Sequence, residues 1–431
     1  MSHLQVGLKP TEAKQLLPVE AYTSEDWFKR EQKELFSKVW TFACTKDDVQ
    51  NPGDYKTVLV GLYPMVVIHG HDGEIRAFHN ICRHRGSQLL EDGSGNIKRT
   101  MICAYHRWAY NTDGSLRGVP QEKSLFGEHG VNKCEHSIKR GALGNYRNLI
   151  FINPQEHPEE SFSDYLSDLP DNSWPAKTEN LMTVARFNWT MKCNWKVFVE
   201  NAQDGYHLMH LHKNTLGGPG VDGQTWRPLG RHWNWQGLNP IMSEEAIAEA
   251  TRKMSTGQKV KASLSALMGD WQPLEGTDLS TYGGEVFGFF PTFLIQPLID
   301  NVGFAKLTPI SPTETFFEGW IMMAPFINER ERKARLKTLL NFAPMPEVQF
   351  DENGMANGGE PITLENFPVH PLESGNFHAE DVWQVEMVQK AMASPAFEVG
   401  PLSNGEGETA LTYFQQNVLD YVPQQKKTES A

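Results

Sequence analysis

Cys82-Arg83-His84-Arg85-Gly86 and, after sixteen intervening residues, Cys103-Ala104-Tyr105-His106-Arg107-Trp108 decide how this chain is read. Each segment offers one thiol and one imidazole, at C-x-H and C-x2-H spacing. Four soft or borderline ligands from two short loops mean a metal site. One tetrahedral zinc is a candidate, but zinc loops usually carry like pairs, C-x2-C against H-x3-5-H. A mixed pair in each loop suits a [2Fe-2S] cluster with both cysteines on one iron and both histidines on the other. Imidazoles in place of two thiolates make such a cluster less negative and raise its potential.

A second constellation lies at Asn194-Trp195-Lys196, Glu200-Asn201 and Asp204-Gly205-Tyr206-His207-Leu208-Met209-His210-Leu211-His212. Three histidines and an aspartate within nine residues exceed what an amphipathic helix needs for packing. On a continuous α-helix His207 and His210 stand roughly 60° apart and His207 and His212 roughly 140° apart, so spacing alone favours the first pair. Two histidines with one carboxylate would form a facial triad for non-haem Fe(II), leaving positions open for dioxygen and substrate.

These blocks resemble the Rieske non-haem iron oxygenases, specifically their terminal oxygenase large (alpha) subunits of the aromatic-ring-hydroxylating type. Ala104 departs from the pattern, which usually has proline there. The resemblance implies Cys82, His84, Cys103 and His106 as cluster ligands and, from Asp-x-Tyr-His-x4-His, His207 and His212 as iron ligands, with His210 as second choice. That selection requires the helix to bend or end near residue 210. The late run His378-Ala379-Glu380-Asp381-Val382-Trp383-Gln384-Val385-Glu386-Met387-Val388-Gln389 resembles the family's E/Q-D-x4-E-x2-Q helix, which makes Asp381 the third ligand and Glu380 the alternate. Val382, Val385, Val388 and Met392 would bury one face of it. Asp204 matches the acid that links cluster ligand His106 of one subunit to His207 of the next within a ring of three. Tyr206 and Asn201 match positions near the iron.

The implied fold is α+β: a small all-β Rieske domain over residues 41–158, then a catalytic domain over 159–431 with an antiparallel sheet flanked by helices, of helix-grip type. Residues 1–40 form an arm and a helix, started by Thr23-Ser24-Glu25-Asp26, that pack on the catalytic domain. Strand-like runs at Tyr55–Val60, Met65–His69, Glu74–Phe78 and Leu149–Ile152, separated by Asn51-Pro-Gly, His71-Asp-Gly and Thr112-Asp-Gly turns, mark the β domain. Val286–Leu298 and Val302–Met323 read as further strands, while Ser243–Leu267 and Glu408–Tyr421 read as helices. The aromatics Trp226, Trp233, Trp235, Phe287, Phe289, Phe290 and Phe293 read as core more than pocket. Arg227 and Arg231 could clamp a carboxylate, though a surface role fits them too.

Bulk properties agree with a globular enzyme. The net charge of −13 over 431 residues disfavours nucleic acid. Between Cys82 and Lys123, however, seven basic residues face four acids, a patch that would steer an acidic electron carrier or simply be solvated. Five cysteines, an odd number, make no disulfide framework. With no long apolar run and no leader-like start, a soluble, cytoplasmic protein is expected. The resemblance implies electrons from a ferredoxin or NAD(P)H-dependent reductase, dioxygen, and a small organic substrate: an aromatic or aromatic acid, or alternatively a quaternary ammonium compound that loses an N-methyl group. It also implies a homotrimer, with or without a small beta subunit. A zinc-stabilised binding protein without redox activity is the reading from a different class.

Overall fold

The computed structural model describes residues 10–169, 181–215, 224–237, 285–297, 301–323, 349–350, 356–357 and 360–425. The chain forms two compact units, Arg30–Tyr165 and, discontinuously, Met1–Lys29 with Leu166–Ala431. The division falls at 29/30 and 165/166 rather than at 40/41 and 158/159. Local packing explains the first boundary: the helix Glu25–Arg30 runs on as a π-helical Glu31–Phe36. There Gln32 Oε1 accepts the Leu62 N–H at 2.8 Å. Phe36 lies against Gly61, where a Cβ would sit 2.9 Å from its side chain. The expected helix Ser243–Leu267 lies outside the described residues.

The Arg30–Tyr165 unit is a seven-stranded antiparallel sheet in the order Thr41–Thr45, Leu149–Asn153, Arg140–Tyr146, Ile75–His79, Tyr63–His69, Asp54–Val60 and Ser94–Asn96. Beside it stands a three-stranded sheet of Met101–Ile102, Ala109–Tyr110 and Leu116–Gly118. The apolar run Met65-Val66-Val67-Ile68 is buried on both sides because strand side chains alternate. Met65 and Val67 join Cys44, Ala77, Ile150 and Ile152 in one core. Val66 and Ile68 join Phe78, Cys82, Cys103, Trp108 and Tyr110 in the other. The metal-ligand loops are therefore anchored in a core of their own.

The second unit is built on a nine-stranded sheet running from Thr225–Leu229 through His232–Gln236, Glu285–Phe289, Phe293–Pro297, Asn301–Ser311, Glu314–Met323 and Met182–Met191 to Ala356–Asn357 and Gln349–Phe350. All pairings are antiparallel except the short parallel one between Met182–Met191 and Ala356–Asn357. Trp226, Trp233, Phe287, Phe289, Phe290 and Phe293 are buried, as core residues. The helices Trp195–Asn201 and Phe377–Met392 pack on the sheet through aromatic edges, Phe198 to Phe317 at 5.5 Å and Phe187 to His378 at 6.1 Å.

Asn376 caps the Phe377–Met392 helix by accepting the Ala379 N–H. Its buried face differs from the expected aliphatic stripe: Val382 and Val385 are buried, but Val388 and Met392 are only half-buried, and Glu386 and Gln389 complete the face. These two polar residues have partners. Glu386 accepts the Lys192 N–H at 2.9 Å, and Gln389 accepts the Asn194 N–H at 2.8 Å while donating to the Tyr22 carbonyl at 3.1 Å. Lys192 and Asn194 immediately precede the Trp195–Asn201 helix, so one helix fixes where the other begins. Among the described residues no helix is long and apolar enough to cross a membrane.

Gln389→Leu keeps the volume but leaves a buried N–H and a buried carbonyl unpaired, which costs about 2 kcal/mol or more. Chemical denaturation of the variant should show the midpoint of the catalytic unit shifted down with an unchanged slope; an unshifted midpoint would remove this anchor from the account.

Candidate metal centres

The two ligand loops of the first unit are the same turn built twice. In one, Gly86 N–H donates to the Cys82 carbonyl at 3.1 Å and Cys82 N–H to the Ser87 carbonyl at 2.8 Å. In the other, Arg107 N–H donates to the Cys103 carbonyl at 3.0 Å and Cys103 N–H to the Trp108 carbonyl at 2.9 Å. The fourth residue after each cysteine has a positive φ, 77° at Gly86 and 60° at Arg107. Glycine occupies the first such position without strain, whereas arginine there is uncommon. Both turns direct N–H groups at sulfur, from His84 toward Cys82 and from Tyr105 and His106 toward Cys103. Burial pushes the Cys82 thiol up despite these donors and its Tyr110 bond, while at Cys103 the donors outweigh burial and hold the thiol below its ordinary range.

Like ligands meet like. The Cys82 and Cys103 thiols touch each other, and the His84 and His106 rings lie 4.5 Å apart at 77°, with Trp108 stacked on His84 at 4.9 Å. His84 Nδ1 is buried without a protein partner. One tetrahedral zinc would draw all four donor atoms to within about 4 Å of one another. Among the described residues, no three of these four converge within 4.8 Å. The donor set therefore fits a two-iron cluster with sulfur on one iron and nitrogen on the other, not a single ion. Tyr110, which the motif did not flag, places its hydroxyl 3.3 Å from Cys82 Sγ and accepts the Arg83 N–H at 3.0 Å.

In the second unit His207, His212 and Asp381 bring one donor atom each to a common point. His207 Nε2 and His212 Nε2 are 3.2 Å apart, His212 Nε2 and Asp381 Oδ1 2.9 Å, and His207 Nε2 and Asp381 Oδ1 3.5 Å. Adjacent ligands at about 2.1 Å from an octahedral ion would be about 3.0 Å apart, so the set fits one facial triad. The helix that spacing assumed continuous is only Leu208–Leu211, and His212 leaves it with φ −96° and ψ 24°. That break returns His212 to the His207 side. His210 stays exposed, edge-on to the exposed Tyr206 ring at 5.9 Å. Neither His210 nor Tyr206 reaches the triad.

Glu380, the alternate ligand on sequence grounds, points elsewhere. Its Oε2 lies 2.7 Å from His212 Nδ1 and also accepts the Thr215 hydroxyl at 2.7 Å. Holding the Nδ1 proton turns the Nε2 lone pair of His212 toward the point shared with His207 and Asp381. Asn201 donates to Asp381 Oδ1 at 2.9 Å, so it positions the carboxylate. Asp204 Oδ2 lies 3.3 Å from His207 Nδ1, and its Oδ1 accepts the Tyr206 N–H at 2.6 Å. A cavity of about 440 Å³ opens here, lined among others by Glu200, Asn201, Asp204, His207 and His210. The expected carboxylate clamps are otherwise engaged: Arg227 donates to Asn234, and Arg231 faces Asp420 and the Tyr421 ring.

A cysteine–histidine pocket in a small β unit and a two-histidine, one-carboxylate triad in an α+β unit define a chain built to hold an iron–sulfur cluster and one mononuclear metal ion. Residues 178–424 match the family described as ring hydroxylating alpha subunit (catalytic domain), and residues 39–136 match the Rieske [2Fe-2S] domain. The chain belongs to this family, whose catalytic domain binds mononuclear iron. It is 32% identical over 200 residues to the glycine betaine monooxygenase oxygenase subunit of Chromohalobacter salexigens, covering 46% of this chain and 44% of that protein. It is 30% identical over 216 residues to the anthranilate 1,2-dioxygenase large subunit of Acinetobacter baylyi, covering 48% and 45%. The match thus spans just under half the length of these relatives. Among solved structures, the quaternary ammonium Rieske monooxygenase CntA superposes with a TM-score of 0.70 at 22% identity, over 96% of each chain, a likeness of fold.

Two outcomes follow from this geometry. Tyr110→Phe removes a hydrogen bond to cluster sulfur and should lower the reduction potential by about 40 mV, the one-electron equivalent of roughly 1 kcal/mol, with protein-film voltammetry as the measurement. At the triad, burial works to lower the His207 pKa, but Asp204 and Asp381 outweigh it and raise it to about 10. Its contribution to apo-protein stability is complete below the unfolded-state value near 6.5 and is lost as pH rises through 10. Iron must displace that proton, so anaerobic Fe(II) titration of apo-protein should show affinity rising about tenfold per pH unit between pH 7 and 9. A flat profile would contradict the raised value.

Proposed function

We propose that this chain is a terminal oxygenase component that uses dioxygen to hydroxylate a small aromatic substrate or aromatic acid. The convergence of His207 Nε2, His212 Nε2 and Asp381 Oδ1 on one point carries the reading. When bound, a [2Fe-2S] cluster on Cys82, His84, Cys103 and His106 supplies single electrons, and Fe(II) on the triad supplies dioxygen activation. Around that chemistry the chain's own groups have defined tasks. Glu380 orients His212, Asn201 steadies Asp381, and three protein ligands would leave an Fe(II) held there with positions for substrate and dioxygen.

Asp204 is proposed to link His106 of one subunit to His207 of the next in a homotrimer, with or without a small beta subunit. A carboxylate against an imidazole N–H orients the ring and offers a continuous bonded contact for the electron. The electron donor is a ferredoxin or an NAD(P)H-dependent reductase, steered by the basic residues around the cluster loops. Residues 41–158 would act as the cluster domain and 159–431 as the catalytic domain, with 1–40 as arm and helix, in a soluble, cytoplasmic protein with no nucleic-acid partner.

A second reading, N-demethylation of a quaternary ammonium compound, draws on the names of relatives: a glycine betaine monooxygenase by sequence and CntA by fold. The two readings leave different products, formaldehyde for demethylation and a hydroxylated ring for the first.

Purified full-length protein should be red-brown, bleach on dithionite and consume dioxygen with a ferredoxin–reductase pair and substrate. Colourless protein with zinc at full occupancy would end the oxygenase reading. Asp204→Asn should retain cluster and iron by spectroscopy and metal analysis yet lose turnover by at least a hundredfold; undiminished turnover would remove the bridge.

A further inference from the structure

Glu200 is a carboxyl group beside the iron site that the reaction as outlined does not use. It sits on the last turn of the Trp195–Asn201 helix, one residue before Asn201, whose side chain bonds Asp381. It lines the same cavity of about 440 Å³ as His207, and Val197, Val385, Val388 and Leu411 give that cavity apolar walls. The exposed His210 lines it too, so water reaches it.

Two partners hold Glu200. The Tyr22 hydroxyl donates to its Oε1 at 2.6 Å, and Gln415 Nε2 donates to the same oxygen at 3.0 Å. Among the described residues nothing donates to Oε2, and the side chain is half-buried. A glutamine would accept the same two hydrogen bonds through its amide oxygen, without placing an ionisable group beside a metal site. The anchoring explains the shape of this side chain but not its acidity.

Burial pushes the carboxyl up to about 7, with the Tyr22 and Gln415 bonds and the Lys196 charge one turn earlier opposing it. The other titratable groups facing the cavity are Asp204, His207, His210 and Glu408. A carboxyl poised there passes from carboxylate to acid when negative charge is added nearby, and an electron arriving at the iron adds it. Oxygenation also needs the proton. Inserting oxygen from dioxygen consumes two electrons and two protons: in hydroxylation the O–O bond breaks, one oxygen forms the new C–O bond and the other leaves as water. In ring dihydroxylation both oxygens bond to carbon and each takes a proton. The ferredoxin or reductase supplies the electrons through the cluster, whereas the protons come from solvent.

We infer that Glu200 is the proton carrier of the iron site, taking a proton from solvent through the cavity as an electron arrives and yielding it to the oxygen being reduced. This rests on the oxygenase reading and adds a group to it. Each transfer regenerates the carboxylate, so Glu200 is reloaded once per electron.

The test reads the carboxyl directly, without substrate. Cluster- and iron-loaded enzyme is reduced anaerobically, and reduced-minus-oxidised infrared difference spectra are recorded in H2O and D2O. At pH 8 the wild type should gain the C=O stretch of a protonated carboxyl, shifted in D2O, and take up about one proton more per iron than Glu200→Gln. At pH 6, where the group is already acid before reduction, the gain should be roughly tenfold smaller. Glu200→Gln should lose the band, and Glu200→Asp, which keeps a carboxyl, should show it displaced. A band of equal size in wild type and Glu200→Gln, or no gain in the wild type between pH 7 and 9, would overturn the inference. Should Glu200→Gln not fold, Tyr22→Phe decides: removing one donor to Oε1 should shift the band, and an unmoved band overturns the inference as well. Failure of the oxygenase reading would show separately, as protein that takes up neither cluster nor iron.

Discussion

The catalytic unit depends on two backbone hydrogen bonds accepted by side chains of a single helix. Glu386 and Gln389 take the N–H groups of Lys192 and Asn194, and Asp381 stands five and eight residues earlier on the same Phe377–Met392 helix. At 1.5 Å per residue these sites are separated by about 7.5 and 12 Å along a rigid rod. Asp381 is thereby held at a fixed distance from the start of the Trp195–Asn201 helix, and Asn201 at the end of that helix bonds back to Asp381. The loop that follows brings His207 and His212. The triad is thus closed within one frame, although its members are separated by 169 positions between His212 and Asp381.

The cluster pocket reaches comparable rigidity by other means. Its two loops share one hydrogen-bond pattern, and both sulfurs sit in the core with Phe78, Trp108 and Tyr110. Cysteines sunk in a core keep their positions, while the histidines, half-buried, stand nearer the surface. A cluster held by these residues would have its histidine side nearer the surface than its cysteine side.

The cluster loops and the strands that hold them are legible in the sequence because they are written in residue types that do little else at that spacing, whereas Asp381 is reached only through the resemblance of its helix to the family's. The choice between His210 and His212 was not legible from geometry. Helical spacing favours His210, but the Leu208–Leu211 helix ends after one turn and so does not carry that spacing through to His212. Glu380 and Asp381 are adjacent carboxylates, and only the direction of each side chain separates a ligand from the group that orients a ligand. Glu386 and Gln389 were visible as polar residues in a helical pattern, but their partners are backbone N–H groups, which leave no trace in sequence. Likewise the tie of Phe36 and Gln32 to Gly61 moved the unit boundary, through shape rather than composition.

The discontinuity of the catalytic unit bears on how the protein is made. Arg30–Tyr165 is contiguous and its ligand loops close over short sequence distances, so it can fold as soon as it leaves the ribosome. Tyr22 cannot: its carbonyl waits for Gln389, and its hydroxyl for Glu200 and Gln415. The amino-terminal arm is therefore the first part synthesised and among the last to settle. The four cluster-ligand residues can therefore be brought together before the two halves of the triad meet.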